Sequence, residues 1–464
     1  MSDAVQRLVN DMRLRSADTN DRQVVAQGTG LHHVREFNRL LVLNCIREHG
    51  PIARVMIARR TGLSRTTVSS IVDTLLQEGL VREGSFSQSA PEGGRRAILV
   101  HFNADVGYVV GIDVGRSHLT ILITDLAANI IAQQSGPFDL ERGPRICLPL
   151  LVAEVRVFVE ASGIPWNRII GIGLGIPGPL DVRLRELSGP PGMPSWDGVD
   201  VWQILQQEFA VPLCMDNDAN MGALGESRYG AARGVANMAY VKIGTGIGGG
   251  LIINGQIYRG QSGSAGELGH ITIDENGPRC VCGNRGCLET LAGARAIVED
   301  ARRGTSLRRS ADPDGAPEES SPAPALAESG AVDIADVIQM AKAGDAASVA
   351  ALEHAGERIG IALAGIINLF NPATIVIDGG VARAGEILLA PLRRAAETCS
   401  LPAAWKGTRI LPGELGTTAI ALGAVSTVLE AAFSPAMPPA AAQNTSEAAP
   451  ITFYRSRPLP STSS

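Results

Sequence analysis

The spacing of apolar positions changes character along this chain. Between Glu36 and His49 they fall at 37, 40, 41, 43 and 46, a helical stripe that Pro51 ends. Val55, Ile57 and Ala58 predict a second, short helix running to Thr61-Gly62-Leu63. Ser64 then suits the N-cap of a third helix, because its hydroxyl can accept an amide of the first turn. Val68, Ile71, Val72, Leu75 and Leu76 give that helix an inner face, and Gly79 closes it. LVRE (80–83) and AILVHFN (97–103) read as two strands around a turn-rich bridge, SFSQSAPEGGRR (85–96). From Tyr108 the pattern becomes apolar strand-like runs that end in glycine turns: YVVGIDVG, LTILITDL, IIGIGLGIPGP, AYVKIGTGIGGGLIING and TIVIDGG. Helical patterns lie between them, which predicts an α/β fold.

Three segments lack such rhythm. Residues 1–30 are polar and are expected to be a disordered arm, 304–330 a flexible Pro/Ala/Ser/Glu insertion, and 433–464 a disordered tail. Residues 31–101 then form one compact unit and 108–432 a second. No stretch approaches 18 uncharged apolar residues and the N-terminus lacks a signal peptide's apolar core, so the expectation is a cytoplasmic protein with no membrane partner.

Composition fits this division. With 464 residues, 45% hydrophobic and 19% charged, the chain cannot be disordered throughout. Its net charge of −6 argues against a nucleic-acid partner until its distribution is considered. Residues 31–101 hold ten arginines against six acids, a balance of +4 that leaves −10 elsewhere. A basic unit attracts phosphates whatever the whole-chain charge. Helix, short helix, tight turn and capped helix is the order of a helix-turn-helix, whose last helix meets base edges in the major groove. Arg65, Thr66, Thr67 and Ser69 are candidate base readers, and Arg95 and Arg96, after two glycines, candidates for the DNA backbone or minor groove. The rival is a helical dimerisation unit with a solvated charged face, which the specific turn and cap disfavour.

Seven cysteines without a secretion signal argue against a disulfide framework. Four are scattered, but Cys280, Cys282 and Cys287 fall within eight residues and follow His270. Three thiolates and an imidazole complete a tetrahedral set for one structural Zn²⁺, closed to catalytic water. Such a metal would bring Glu267 and Glu289 into one neighbourhood. Two glycine turns resemble phosphate loops: Asp113-Val114-Gly115-Arg116-Ser117, where the acid could organise a metal-bound phosphate, and Gly244-Thr245-Gly246 within GTGIGGG. Two such loops on separate strands suggest paired lobes around a nucleotide-type cleft. Asp216-Asn217-Asp218-Ala219-Asn220 follows a strand and precedes a helix. Its carboxylates could accept a proton from a sugar hydroxyl, or the motif could be an Asx-rich helix cap; both readings stand equal.

The order DVG, PGP, DNDAN, GTGIGGG, ELGH, CVCGNRGCLE and IDGG, over about 108–430, resembles the ROK family of repressors, open reading frames and kinases. The N-terminal winged helix-turn-helix is similar to that of the family's repressor branch. The resemblance implies a two-lobed actin-like domain, hexokinase-type and ribonuclease H-like, with lobe 1 at about 108–215 plus 417–432 and lobe 2 at about 216–416. It implies sugar contacts at Asn217, Asp218, Glu267, His270 and Glu289, with Asp218 in the position of a kinase's base. It also extends the phosphate loops, as vestiges, to Gly379 and Gly380. Arg116 stands where the family's kinases carry a small glycine, at the point where backbone approaches phosphate. The expectation is therefore a non-enzymatic, sugar-responsive repressor of carbohydrate genes. It would be a homodimer or homotetramer on double-stranded operator DNA, with a sugar or sugar phosphate as effector. The alternative is an ATP- and Mg²⁺-dependent sugar kinase with a regulatory DNA-binding head.

Overall fold

A computed structural model describes residues 30–86, 97–181, 186–187, 193–311 and 333–434, with positions between 5 and 12. Arg95 and Arg96, most of the 304–330 segment and the tail after 434 lie outside the described residues. The chain divides into two compact units, one of residues 11–103 and 432–464, the other of 1–10 and 104–431.

The smaller unit runs α1 (Gly30–His49), β1 (Ile52–Ala53), α2 (Arg54–Thr61), α3 (Arg65–Gln77), β2 (Val81–Phe86) and β3 (Ile98–Phe102). Gly62, left-handed at φ 70°, ends α2, and the Ser64 hydroxyl accepts the Thr67 amide at 3.0 Å to begin α3. Val68, Val72 and Leu75 are buried, while Ile71 and Leu76 are half-buried at the edge of the same face. β2 and β3 pair antiparallel, and β1 adds on the far side of β3.

The larger unit repeats one sheet design twice. β4 (Tyr108–Val114), β5 (His118–Asp125) and β6 (Ile130–Pro137) form an antiparallel meander. After α4 (Pro144–Ala161) comes β7 (Ile169–Ile176), parallel to β4. A small hairpin, β8 (Leu180–Asp181) with β9 (Glu186–Leu187), and α5 (Val201–Phe209) lead to β10 (Leu213–Asn217), parallel to β7. The chain then turns through α6 (Asp218–Tyr229) into the second meander, β11 (Met238–Ile243), β12 (Ile247–Ile253) and β13 (Gln256–Ile257). Helices α7 (Leu288–Ala292), α8 (Ala294–Ala311), α9 (Ile334–Lys342) and α10 (Ala346–Phe370) precede β14 (Thr374–Asp378), parallel to β11. α11 (Glu386–Cys399) and α12 (Pro402–Trp405) lead to β15 (Arg409–Pro412), parallel to β14, and α13 (Ala419–Phe433) ends the described chain. The sheet orders, β10-β7-β4-β5-β6 and β13-β12-β11-β14-β15, each join a three-stranded meander to two parallel strands reached by helical crossovers.

α13 lies directly on the first sheet because glycines beneath it leave room. A Cβ on Gly111 would collide with the Ala421 carbonyl oxygen, and one on Gly173 with that of Ala424. Gly173→Ala is therefore expected to destabilise the protein by about 1–3 kcal/mol, read as a lower denaturant midpoint, because neither backbone can yield cheaply.

Several boundaries differ from the sequence expectation. The described positions between 5 and 12 are helical rather than disordered: Val5, Leu8, Val9 and Met12 form a short i, i+3, i+4, i+7 stripe and are buried. α8 continues to Ala311, so the helix extends into the expected insertion. Phe433 is not tail but the buried last residue of α13. β10 runs to Asn217, so lobe 1 does not end at 215. One stretch, Gly416–Phe433, does pass a length-and-hydropathy test for a membrane span, which the sequence count overlooked; two thirds of it is buried inside the protein, as a core helix is.

Candidate functional site

The C-terminal ends of β4, β7, β10, β11 and β14 meet the walls of one cavity of about 660 Å³. Ligands of open α/β sheets bind at this edge, outside the carboxyl ends of the strands. Asp113, Asn217, Asp218, Glu267, His270 and Glu289 all line it, as do Gly244, Thr245, Gly246, Gly379 and Gly380. Gly115 does not. A Cβ there would overlap the His118 ring, so this glycine makes room for a side chain. His118 Nε2 in turn stands 3.1 Å from Asp113 Oδ2.

The DNDAN motif serves as cap and as cleft wall. Asn217 accepts the Ala219 and Asn220 amides at 2.9 and 3.3 Å as the N-cap of α6, and its own amide donates to the Gly178 carbonyl at 3.0 Å. Asp216 is structural, accepting from Arg259 at 2.7 Å and from the Asn220 side chain at 2.9 Å. Asp218 remains for the cleft, but not as an open base. Its Oδ1 takes the Ala219 amide at 2.8 Å and its Oδ2 takes Lys242 Nζ at 2.8 Å. Burial opposes the Lys242 charge, but the carboxylates of Asp218, Asp113 and Asp378 outweigh it and raise the lysine's pKa. Sequence reasoning missed Lys242 although a signal was present: it is the lone charge in the apolar strand AYVKIG.

Glu267 and Glu289 stand near each other as the cysteine spacing implied. Burial, reinforced by the Asp218 and Glu289 carboxylates, pushes Glu267 up to about 7. Glu289, in the first turn of α7, accepts the Ile247 amide at 3.1 Å through Oε2. It thereby fastens the glycine turn between β11 and β12.

The ligand atoms of His270, Cys280, Cys282 and Cys287 lie within 4.8 Å of one another. Cys282 Sγ and Cys287 Sγ are 3.7 Å apart, and Cys280 Sγ and His270 Nδ1 3.6 Å. Tetrahedral Zn²⁺ with Zn–S of about 2.3 Å needs sulfurs about 3.7–3.8 Å apart, so the donor set fits that metal. Only Nδ1 of His270 faces the sulfurs; Nε2 is 4.0 Å from Glu267 Oε2, and the ring lines the cavity. One imidazole can thus serve both roles the sequence gave it. With a metal on Nδ1, the neutral ring carries its proton on Nε2 and donates into the cleft.

In the smaller unit, Arg65 and Thr66 are exposed at the start of α3, with Thr67 and Ser69 half-buried. The Thr66 and Thr67 hydroxyls each lie 2.8 Å from the Ser64 hydroxyl and so take part in the cap. Among the described residues, Arg39 bridges Glu36 and Glu78 at 2.9 and 2.6 Å, and Arg54 bridges Asp73 and Glu83 at 2.7 and 2.9 Å, so both are spent internally. Arg59, Arg60 and Arg82 are exposed with Arg65.

A winged helix-turn-helix head and a two-lobed α/β domain with a polar cleft define a class in which a ligand-binding domain carries a DNA-binding unit. The ROK family profile matches residues 109–431 and the MarR family profile residues 38–83. The chain belongs to the ROK family. It is 35% identical to the xylose repressor of Bacillus spizizenii, over 86% of this chain and 96% of that protein. It is 30% identical to the transcriptional dual regulator NagC of Escherichia coli, over 86% and 93%. The crystal structure of a ROK family transcriptional regulator, described as a homolog of the E. coli MLC protein, superimposes with a TM-score of 0.71 at 27% identity, covering 87% of this chain and 98% of that one. A ROK glucokinase from Streptomyces griseus, solved with glucose and AMPPNP, gives a TM-score of 0.60 at 25% identity and covers 69% of this chain. The kinase match thus extends over less of this chain than the regulator match.

Proposed function

We propose that this protein is a sugar-responsive transcriptional repressor of carbohydrate uptake or metabolism genes. The observation that carries the reading is the convergence of Asp218, Glu267, His270 and Glu289 on one cavity, in a chain that also has a capped helix-turn-helix. The repressors and regulators among its relatives support the same reading.

In this reading, residues 31–101 bind double-stranded operator DNA in the cytoplasm. Arg65 and Ser69 face bases, and Thr66 and Thr67 hold the cap that aims them. Arg95 and Arg96 are assigned to the DNA backbone or minor groove. A homodimer or homotetramer would present two heads to half-sites about one DNA turn, roughly 34 Å, apart. Arg65→Ala is expected to weaken operator binding by about 1–3 kcal/mol in a gel-shift titration at fixed salt, as loss of a bidentate base contact would. Unchanged affinity and sequence preference would remove Arg65 from the recognition set.

A sugar or sugar phosphate occupies the cleft. Asp218, Glu289 and ionised Glu267 accept hydrogen bonds from its hydroxyls, His270 Nε2 donates, and Asn217 offers the Nδ2 proton that it does not give to the Gly178 carbonyl. Zn²⁺, held by His270 Nδ1, Cys280, Cys282 and Cys287, fixes the loop that carries Glu267 and the start of α7. A ligand that prefers one arrangement of the lobes shifts the population, and coupling of about 1–3 kcal/mol changes operator affinity about 5–150-fold. Asp218 is engaged by Lys242 in the unliganded cleft, which suits an acceptor of a sugar hydroxyl better than a general base. The test is a footprint on the upstream intergenic DNA, repeated across hexoses, N-acetylhexosamines and pentoses, with ADP release measured on the same panel. Sugar-dependent protection without turnover is expected. Turnover at ordinary enzyme rates that is lost in Asp218→Asn would overturn the reading.

A further inference from the structure

Lys242 carries an inference that neither its family nor the effector site supplies. It lies on β11 directly opposite Asp378 on β14, and the matched register of parallel strands puts the two side chains on one face of the sheet. Asp113, Asp218 and Asp378 line the same cavity as Lys242. Each of these carboxylates has one side-chain partner: His118 at 3.1 Å for Asp113, Lys242 at 2.8 Å for Asp218, and the Tyr240 hydroxyl at 2.9 Å for Asp378; Asp218 and Asp378 also accept the Ala219 and Gly379 backbone amides at 2.8 and 2.7 Å. Asp113 Oδ1, in a side chain only 4% exposed, has no hydrogen-bond partner among the described residues. Three carboxylates on one cavity wall repel one another and attract a hard divalent cation, which takes oxygen ligands of this kind. A tethered ammonium answers the same need without leaving the protein.

We propose that Lys242 is the resident counter-ion of the cleft, supplying to Asp113, Asp218 and Asp378 the positive charge that a divalent cation would otherwise provide. The cleft is thereby a metal-independent receptor on its β4, β11 and β14 side, and removing the ammonium turns that wall into a divalent-cation site. This deepens the reading of the cleft as a receptor, but its readout needs no sugar. A failed sugar panel would leave it standing, and a failed cation titration would leave the effector assignment standing.

The experiment is a Mn²⁺ titration of full-length, Zn²⁺-saturated protein followed by electron paramagnetic resonance, on wild type, Lys242→Arg, Lys242→Gln and Lys242→Gln/Asp218→Asn. Wild type and Lys242→Arg are expected to show no saturable Mn²⁺ binding up to about 1 mM. Lys242→Gln should bind one Mn²⁺ per chain at least about tenfold more tightly, and the double variant should lose most of that gain. Folded Lys242→Gln that binds no Mn²⁺, or wild type that binds it equally well, overturns the proposal. Should Lys242→Gln fail to fold, recovery by Mn²⁺ or by the added Asp218→Asn supports the proposal. Failure of both variants with and without Mn²⁺ overturns it.

Discussion

Replacing Cys282 by serine is expected to abolish the response of operator binding to sugar while leaving a folded DNA-binding head. The thiolate is one corner of a four-donor set within 4.8 Å, in which the sulfurs of Cys282 and Cys287 already stand at zinc spacing, 3.7 Å. Between His270 and Leu288 the chain forms no helix or extended strand and is held by two isolated bridges, Thr272–Cys287 and Arg279–Arg285, and by backbone hydrogen bonds such as Ile273 to Gly286, Cys280 to Asn284 and Leu288 to Ile271. A serine hydroxyl is a poor substitute for a thiolate on Zn²⁺. The loop then loses the constraint that sets Glu267 against Glu289, and the His270 ring loses the ligand that fixes its tautomer. Sugar affinity is expected to fall by about 100-fold or more, since disturbing only the outer shell of a metal site already costs 10–100-fold. Elemental analysis should show zinc reduced from one per chain, and gel shifts should show operator binding that sugar no longer alters. A metal-free variant with a normal response would remove zinc from the mechanism.

Asp218→Ala is the second large effect, and it acts on both stability and binding. The carboxylate and Lys242 form a pair with side chains only 12% and 18% exposed. Removing one member strands the other, which costs about 3–5 kcal/mol for a buried pair. Asp113 and Asp378 remain nearby to soften that loss, so the lower end of the range is expected. Thermal melts should show the destabilisation, and calorimetry should show no sugar binding. In Asp218→Ala/Lys242→Met the stranded ammonium is gone but Asp113 and Asp378 lose their counter-charge, so stability should return only in part while sugar binding does not. Wild-type sugar affinity in the single variant would remove Asp218 from the receptor site.

What the sequence could reveal depended on how local each feature is. The metal set was legible because its four ligands fall within 18 residues and the chemistry of thiolate and imidazole limits what they can hold. The Ser64 cap and the Gly62 turn were legible for the same reason: both are interactions between near neighbours. The buried stripe at Val5, Leu8, Val9 and Met12 spans only two turns among polar residues, too short a period to stand out. Pairings made by the tertiary fold were not legible. Lys242 is 24 residues from Asp218, and the packing of α6 on the second sheet brings them together. Arg39 reaches Glu78 across 39 residues, so a count of charges overstated the positive surface of the head. Gly115 matched a phosphate-loop pattern, yet its space is taken by a histidine three positions on.

His270 turns one ring nitrogen to the cysteine cluster and the other to the cavity. A single aromatic ring conducts charge between its two nitrogens, so whatever is bound at one alters the basicity of the other. Thermodynamic reciprocity then applies: a metal that favours sugar by some factor must itself be held more tightly, by that same factor, when sugar is present. Cells short of zinc would find their repressor less sensitive to sugar, and sugar-loaded repressor would be the last to surrender its metal.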